Sequence, residues 1–344
     1  MLTAKENFRE SVRGGNPDRF SNQYEALSLQ INPFFMASPF PEVGAPAAPN
    51  AWGVWYSWPA GTPGGFPDHS PEKIVVQDIE NWKDYVKAPS LKFPQEQWDM
   101  CKGMAAGVDR DKAFLTAMIA PGLFEQCHHL SEIKNALMYL ITNPKEMHEL
   151  IKYLKEWELE LAEGICSQLQ PDAMFHHDDW GTEINSFMSP DQFAEFFVEP
   201  YKEIYGYYHD HGVEFVVHHS DSYAANLVPY MIEMGIDVWQ GVMEKNDIPT
   251  LLKLYGGQIA FMGGINNASV EYDGWTEESV REYTAKTLDL YTPQYFIPCI
   301  SQGGPGSCYP GVYEIMTDEI DKYNMKKFGV GNPEEFRMPV SVMF

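Results

Sequence analysis

Two short apolar runs of this chain end abruptly in ionisable side chains. PDAMFHHDDWGTE (171–183) supplies His176, His177, Asp178, Asp179 and Glu183, and EFVVHHSDS (214–222) supplies His218, His219 and Asp221. Neutral imidazole is a common zinc ligand, and a nearby carboxylate either joins the metal or orients the ring from behind. Two neighbouring carboxylates cannot both be buried and ionised without a counter-charge from a metal, a histidine or a substrate. The pattern therefore points to metal-assisted or acid–base chemistry. Side chains alternate along a strand, so one histidine of each pair faces a pocket and the other faces away; the same alternation separates His177 and Asp179 from His176 and Asp178.

Around these two ends lie further candidates. Glu183 is four residues past Asp179, placed to reach across to the strand that carries His219. Asp221 is either a co-ligand or the carboxylate that orients the ring. Asp178 or Asp179 has an alternative use in capping the following turn. Glu199 lies in the next helix, where most glutamates are solvated. Cys299 ends the run YFIPCIS, either as a thiolate ligand or as a small core residue. Met262 opens MGGIN, a glycine pair at a strand end that allows a ligand or backbone to come close. Cys308 lies in GGPGSCYPG, a place that binds phosphate in some barrels, but no basic residue is near.

A strand that ends in ligand-type residues and feeds straight into a helix is how a (β/α) barrel builds an active site at the C-terminal rim of its strands. From Ala113 onward strand and helix signals alternate regularly, with AFLTAMIA, DAMFHHDD, EFVVHHS, IDVWQGV, QIAFMGGI and YFIPCIS as strands. That predicts six βα units over 113–329. ALSLQINPF (26–34) adds a strand upstream, which brings the count toward a (β/α)8 TIM barrel in a single domain over 1–344. Pro144 suits the first turn of one long helix, and Ser189 with Pro190 opens a helix that runs to Gly212. Thr276 starts another, with Ser279 where a capping box would carry Glu or Gln. Residues 20–100 hold the first strand and an extension rich in Pro, Gly and aromatics. A lid or wall over the mouth there would place Trp52, Trp55, Tyr56 and Phe66 against a substrate.

Composition narrows the function. Lys and Arg total 24 against 49 Asp and Glu, a net charge of −25 that repels phosphate backbones and anionic lipid heads, so neither nucleic acid nor membrane is an expected partner. The five cysteines are scattered without paired spacing, which argues against a disulfide framework. The N-terminus lacks the apolar core of a signal peptide, and no run approaches the ~18 apolar residues of a membrane span, so a reducing cytoplasm is expected. Oligomeric state is not readable.

DDWGTE followed by FMSPDQFAEFFVEPYKEI, VHHSDS leading to LVPYMIEMGIDVWQGV, and FMGGINN together resemble the uroporphyrinogen decarboxylase superfamily over about residues 20–330. The resemblance implies a distorted TIM barrel. A true decarboxylase must bind a porphyrinogen with eight carboxylates, and this chain has only six arginines, none at a predicted strand end. The other branch, corrinoid-dependent methyltransferases, fits better. Its thiol-methylating members hold zinc with a His-x-Cys pair and a distant Cys; His219, Asp221 and Cys299 stand at the matching positions, with oxygen replacing one sulfur and hardening the ion. Its O-demethylase members use carboxylates with a histidine, which implies roles for Glu183 and Glu199. The resemblance thus implies a zinc-dependent transfer of methyl from a small-molecule methyl ether to the Co(I) corrinoid of a partner protein, with His177, Asp178 and Asp179 as acid–base candidates. Thiol methylation and a non-catalytic ligand-binding barrel are the alternatives.

Overall fold

Parallel strands covered by helices on their outer side must be apolar almost throughout, and each long apolar run of this sequence obeys that rule. The computed structural model describes residues 1–38, 41–60, 62 and 64–339. Among them, seven strands form one parallel sheet in sequential order: β1 (Leu27–Gln30), β2 (Phe114–Ile119), β3 (Ala173–His177), β4 (Phe215–His219), β5 (Val238–Val242), β6 (Ala260–Ile265) and β7 (Phe296–Ile300). The six units expected from Ala113 onward and the strand in ALSLQINPF are all present. The eighth stave of a regular barrel is not among the described residues. Instead Gln23, just ahead of β1, bridges to the last strand: its N–H donates to the Pro298 carbonyl (3.1 Å) and its Oε1 accepts from Ile300 N–H (3.3 Å). The sheet is thus a distorted TIM barrel.

The helix signals resolve with two differences. Thr276 and Ser279 make a complete reciprocal cap after all, because the serine hydroxyl reaches back to the Thr276 N–H (3.0 Å) as a glutamate would. The helix opened by Ser189 is not uniform: a turn of π-helix at Ala194–Val198 separates Pro190–Phe193 from Glu199–Asp210. Pro200 lacks the N–H that would close the ladder there, which accounts for the widened turn.

The extension holds a small antiparallel sheet (Ala48–Pro49, Trp55–Ser57, Phe66–Pro67), whose strands are too short to show a period in sequence. It rests on the helices beside the rim. Val76 N–H donates to the Leu130 carbonyl (2.9 Å), and the Trp52 ring meets Trp157 edge-on at 4.9 Å.

One backbone feature aims a side chain at the barrel interior. The ladder between β5 and β6 slips a residue between Gln240 and Val242, and Gly241 sits at φ +96° in that bulge. A Cβ at Gly241 would lie 2.8 Å from the Ser220 carbonyl oxygen. Gly241→Ala is therefore expected to cost about 1–3 kcal/mol through left-handed strain and backbone displacement. Thermal unfolding checks this; an unchanged Tm would mean that the bulge relaxes freely.

Candidate functional site

Strands β3 and β4 pair in register, so His176 lies opposite His218 and His177 opposite His219. Two stacked imidazole pairs result, one on each face of the sheet. The outer pair has ring centroids 5.7 Å apart and is fully buried between sheet and helices. His176 Nε2 meets Glu158 Oε1 at 2.8 Å, Tyr205 Oη lies 3.2 Å from His176 Nδ1 and 2.8 Å from His218 Nδ1, and His218 Nε2 donates to the Asp178 carbonyl at 3.1 Å. These groups saturate one another, and the outer histidines are structural.

The inner pair stacks more closely, at 4.5 Å, and faces the barrel mouth. Ligand-capable atoms of His177, Asp179 and His219 all lie within 4.8 Å of one another. Each imidazole has its second nitrogen engaged from behind. His177 Nδ1 donates to Glu125 Oε2 at 2.8 Å, and His219 Nδ1 is hydrogen-bonded to Gln240 Oε1. Gln240 Nε2 in turn donates to the Ile300 carbonyl at 3.3 Å, which fixes the amide so that its oxygen faces the histidine. His219 then carries its proton on Nδ1 and leaves the Nε2 lone pair for a metal. Asp221 adjoins this group: its N–H donates to Asp179 Oδ1 at 2.9 Å.

For His219 the electrostatics agree with that picture, whereas His177 is held protonated and would give up a proton to a metal. Burial, and then the neighbouring positive charge of His177, lower His219 to about 4, so its ring is neutral. Burial raises Glu125, and the His177 charge only partly offsets that. Burial alone would lower His177, but Glu125, Asp179 and Asp221 outweigh it and raise the imidazole. Asp221 is pushed well above the usual carboxylate range by burial and by Asp179 beside it. The site thus gathers more carboxylate than its own cationic groups can balance, and two imidazoles with a carboxylate are a donor set that suits zinc.

The structure places other sequence candidates elsewhere. Asp178 is fully buried and turned away from the mouth, where it accepts from Phe124 N–H (3.1 Å), Glu125 N–H (2.7 Å), Trp180 Nε1–H (2.9 Å) and the Tyr201 hydroxyl. It caps the helix Leu123–Ser131 rather than serving as an acid. Glu183 points outward, half exposed, in an ion pair with Lys245 (2.8 Å), and Glu199 is exposed beside Lys202 (3.5 Å); neither joins His219. Cys299 faces the interior, but its Sγ lies against Gln240 Nε2 (3.9 Å), with Gln240 between it and His219, and burial holds the thiol protonated. Met262 pairs with Gln240 in register and is buried in the same interior. Of the aromatic candidates, Tyr56 hydrogen-bonds to a site helix, with its hydroxyl 2.7 Å from His129 Nδ1, and Trp52 lines a cavity with Leu123 and Gln126 of the same helix. Trp52 packs on Trp157, Trp55 lies 5.0 Å under the Lys73 ammonium, and Phe66 is exposed.

Glu125 and Gln240, which hold the two inner rings from behind, are the candidates that the sequence did not disclose. Gln240 carries a direct test. Gln240→Leu frees the His219 ring and is expected to weaken metal binding about 10–100-fold, while Gln240→Glu, which keeps an acceptor for Nδ1, retains it. Equal metal affinity in the leucine variant and the wild type would remove Gln240 from the site.

A family model described as Uroporphyrinogen decarboxylase (URO-D) matches residues 49–323. Among solved structures, a methyltransferase from Methanosarcina mazei shares the fold, with a TM-score of 0.63 over 94% of this chain and 99% of that one at 13% sequence identity. No curated protein matches the chain. With the family model spanning most of the sequence and the curled parallel sheet matching the expected fold, the chain belongs to the uroporphyrinogen decarboxylase family.

Proposed function

We propose that this protein transfers a methyl group from a methyl ether, of the methoxylated-aromatic class, to the Co(I) of a corrinoid carried by a separate protein. The observation that carries the reading is the inner cluster of His177, Asp179 and His219, backed by Glu125 and Gln240. A second observation argues against decarboxylation of a polycarboxylate. Arg9 and Arg13 pair with Glu214, Arg110 with Asp172, Arg281 with helix carboxylates, Arg19 with Asp18, and Arg337 with Glu25 and Asp321. Among the described residues each of the six guanidinium groups already has a carboxylate partner, which argues against a set of them held ready for a polyanionic substrate.

His177, Asp179 and His219 would hold zinc, with Asp221 beside them. A bound zinc ion supplies Lewis acidity toward an ether oxygen, which makes phenolate a better leaving group. In the transfer, the methyl C–O bond breaks and a C–Co bond forms from the cobalt electron pair; the C–O pair stays on oxygen, which is released as phenolate or takes a proton from water. The chain's own residues supply orientation. Gln240 and Glu125 fix the two rings, and the Tyr56 segment adds an aromatic flank beside the rim. Thiol methylation would call for a sulfur ligand, and Cys299 lies behind Gln240 instead.

The test combines zinc-loaded protein, Co(I) cobalamin and a series of methoxyarenes, followed by the absorbance of methylcobalamin. Methylcobalamin formation that depends on zinc supports the reading. Methylation of a thiol from methylcobalamin, with no reaction of any methoxyarene, would replace it with the thiol alternative; no methyl transfer in either direction would favour a binding barrel.

A further inference from the structure

We infer that the chain carries a second cation site beside the first, built from Glu125, His128 and His129 and suited to a zinc-type divalent transition-metal ion. These residues lie at i, i+3 and i+4 on the helix Leu123–Ser131, so they share one face. A ligand-capable atom of each lies within 4.8 Å of the others. The helix itself is held firmly: Asp178 takes the N–H groups of Phe124 and Glu125, and the Tyr201 hydroxyl accepts from Leu123 N–H at 2.8 Å. Gly122 at its start has no Cβ, where one would fall 2.5 Å from both Asp178 Cβ and His176 Cε1.

Each of the three side chains keeps a donor atom to spare. Glu125 uses Oε2 for His177 and accepts no hydrogen bond on Oε1 among the described residues. His129 is engaged on Nδ1 by the Tyr56 hydroxyl at 2.7 Å, the arrangement that metal-bound imidazoles commonly have on the nitrogen away from the ion. With Nδ1–H donating to Tyr56, Nε2 keeps only a longer contact to the same hydroxyl at 3.4 Å and is the ring nitrogen left for an ion. The half-buried His128 ring makes no hydrogen bond among the described residues; it touches Phe124 and His129 edge-on at 5.2 and 4.6 Å. A histidine that serves only packing would gain from a polar partner, and here the group within reach is the open end of the cluster.

Two imidazoles and one carboxylate are a three-ligand set that leaves a fourth position open, and their nitrogen content favours zinc, cobalt or nickel over magnesium or calcium. Glu125 belongs to both clusters, since its other oxygen steadies His177. The second ion would therefore sit next to the first, at the junction of the site helix and the strand that carries Tyr56.

The test uses the full chain stripped with a chelator and titrated with Zn2+, and separately with Co2+, by calorimetry and elemental analysis. Two equivalents per chain are expected. His128→Asn and His129→Gln should each weaken one equivalent at least about 100-fold and leave the other. His219→Ala should do the reverse, so failure of this site and failure of the one at His219 read separately. Circular dichroism and Tm of the metal-free variants establish that they fold, and if one histidine variant does not, the other decides. A single equivalent in the wild type that His219→Ala removes and the His128 and His129 changes leave, a second equivalent indifferent to both His128 and His129 changes, or one equivalent lost by the His128 and His219 variants alike would each overturn the inference; a single equivalent that only the His128 and His129 changes remove would support it and count against the site at His219.

Discussion

His219→Ala is expected to lower zinc affinity at least about 100-fold and methyl transfer by roughly 100–1,000-fold, the scale on which removing a ligand and its ion acts. The register between β3 and β4 makes this a sharp expectation, because it assigns opposite duties to two adjacent identical residues. His219 stacks on His177 at the mouth and is steered by Gln240; His218 stacks on His176 behind the sheet and is steered by Tyr205 and the Asp178 carbonyl. His218→Asn should therefore lower Tm while the folded protein keeps its zinc, whereas His219→Ala should lose zinc at a smaller cost in stability. Elemental analysis and methylcobalamin formation, measured side by side for the two variants, decide. Equal zinc content in His219→Ala and the wild type would sever the inner cluster from the metal and leave the proposed chemistry without its centre.

The two strand ends were legible in the sequence because strand periodicity is exact, but the sequence set Glu183 rather than His177 beside His219. Once DAMFHHDD and EFVVHHS are read as strands, one histidine of each pair must face inward, and the shared length of the two runs brings His177 and His219 level. The same logic could not say which of Asp178 and Asp179 would do chemistry. That depended on the helix Leu123–Ser131, whose first N–H groups have no partner within the helix and draw one carboxylate away from the mouth. Glu183 was misplaced for a related reason. It lies on a loop with no period to fix its direction, and Lys245, 62 positions later, holds its side chain outward. Gln240 escaped because it stands in no cluster of ionisable residues, and Glu125 because the histidine it orients lies far along the chain: each acts through such a contact. The sequence hint, available only with the fold in hand, was an acid followed by two histidines at i+3 and i+4.

Asp178→Ala is expected to be among the most destabilising single changes at the rim, at about 3–5 kcal/mol. The carboxylate receives four donors, from two backbone N–H groups, an indole and a phenol, and all four belong to residues less than a tenth exposed. Alanine would strand them together in a space too tightly packed to admit replacements, and each buried donor left unpaired costs about 1–3 kcal/mol, less than additively. The loss of a helix cap is part of the same sum. Asp178→Asn should recover only a fraction: its oxygen can serve Glu125 N–H, but its amide would then face Phe124 N–H and the Trp180 indole, donor against donor. Tyr201→Phe removes one donor from Asp178 and leaves the buried Leu123 N–H without its acceptor, and should cost about 1–2 kcal/mol. Thermal unfolding is expected to rank the variants alanine, asparagine, then phenylalanine, the first lowering Tm by roughly 4–7 °C. The consequence reaches the chemistry, because the N–H that Asp178 holds belongs to Glu125, and Glu125 orients His177. A folded Asp178→Ala protein, which loses that contact, should then bind zinc more weakly than the wild type even though Asp178 is no ligand, and Asp178→Asn, whose oxygen can keep it, should bind more nearly as the wild type does. Should alanine leave Tm within a degree of the wild type, the capping role would fall, and the side chain would have to be free for the acid chemistry that its burial now argues against.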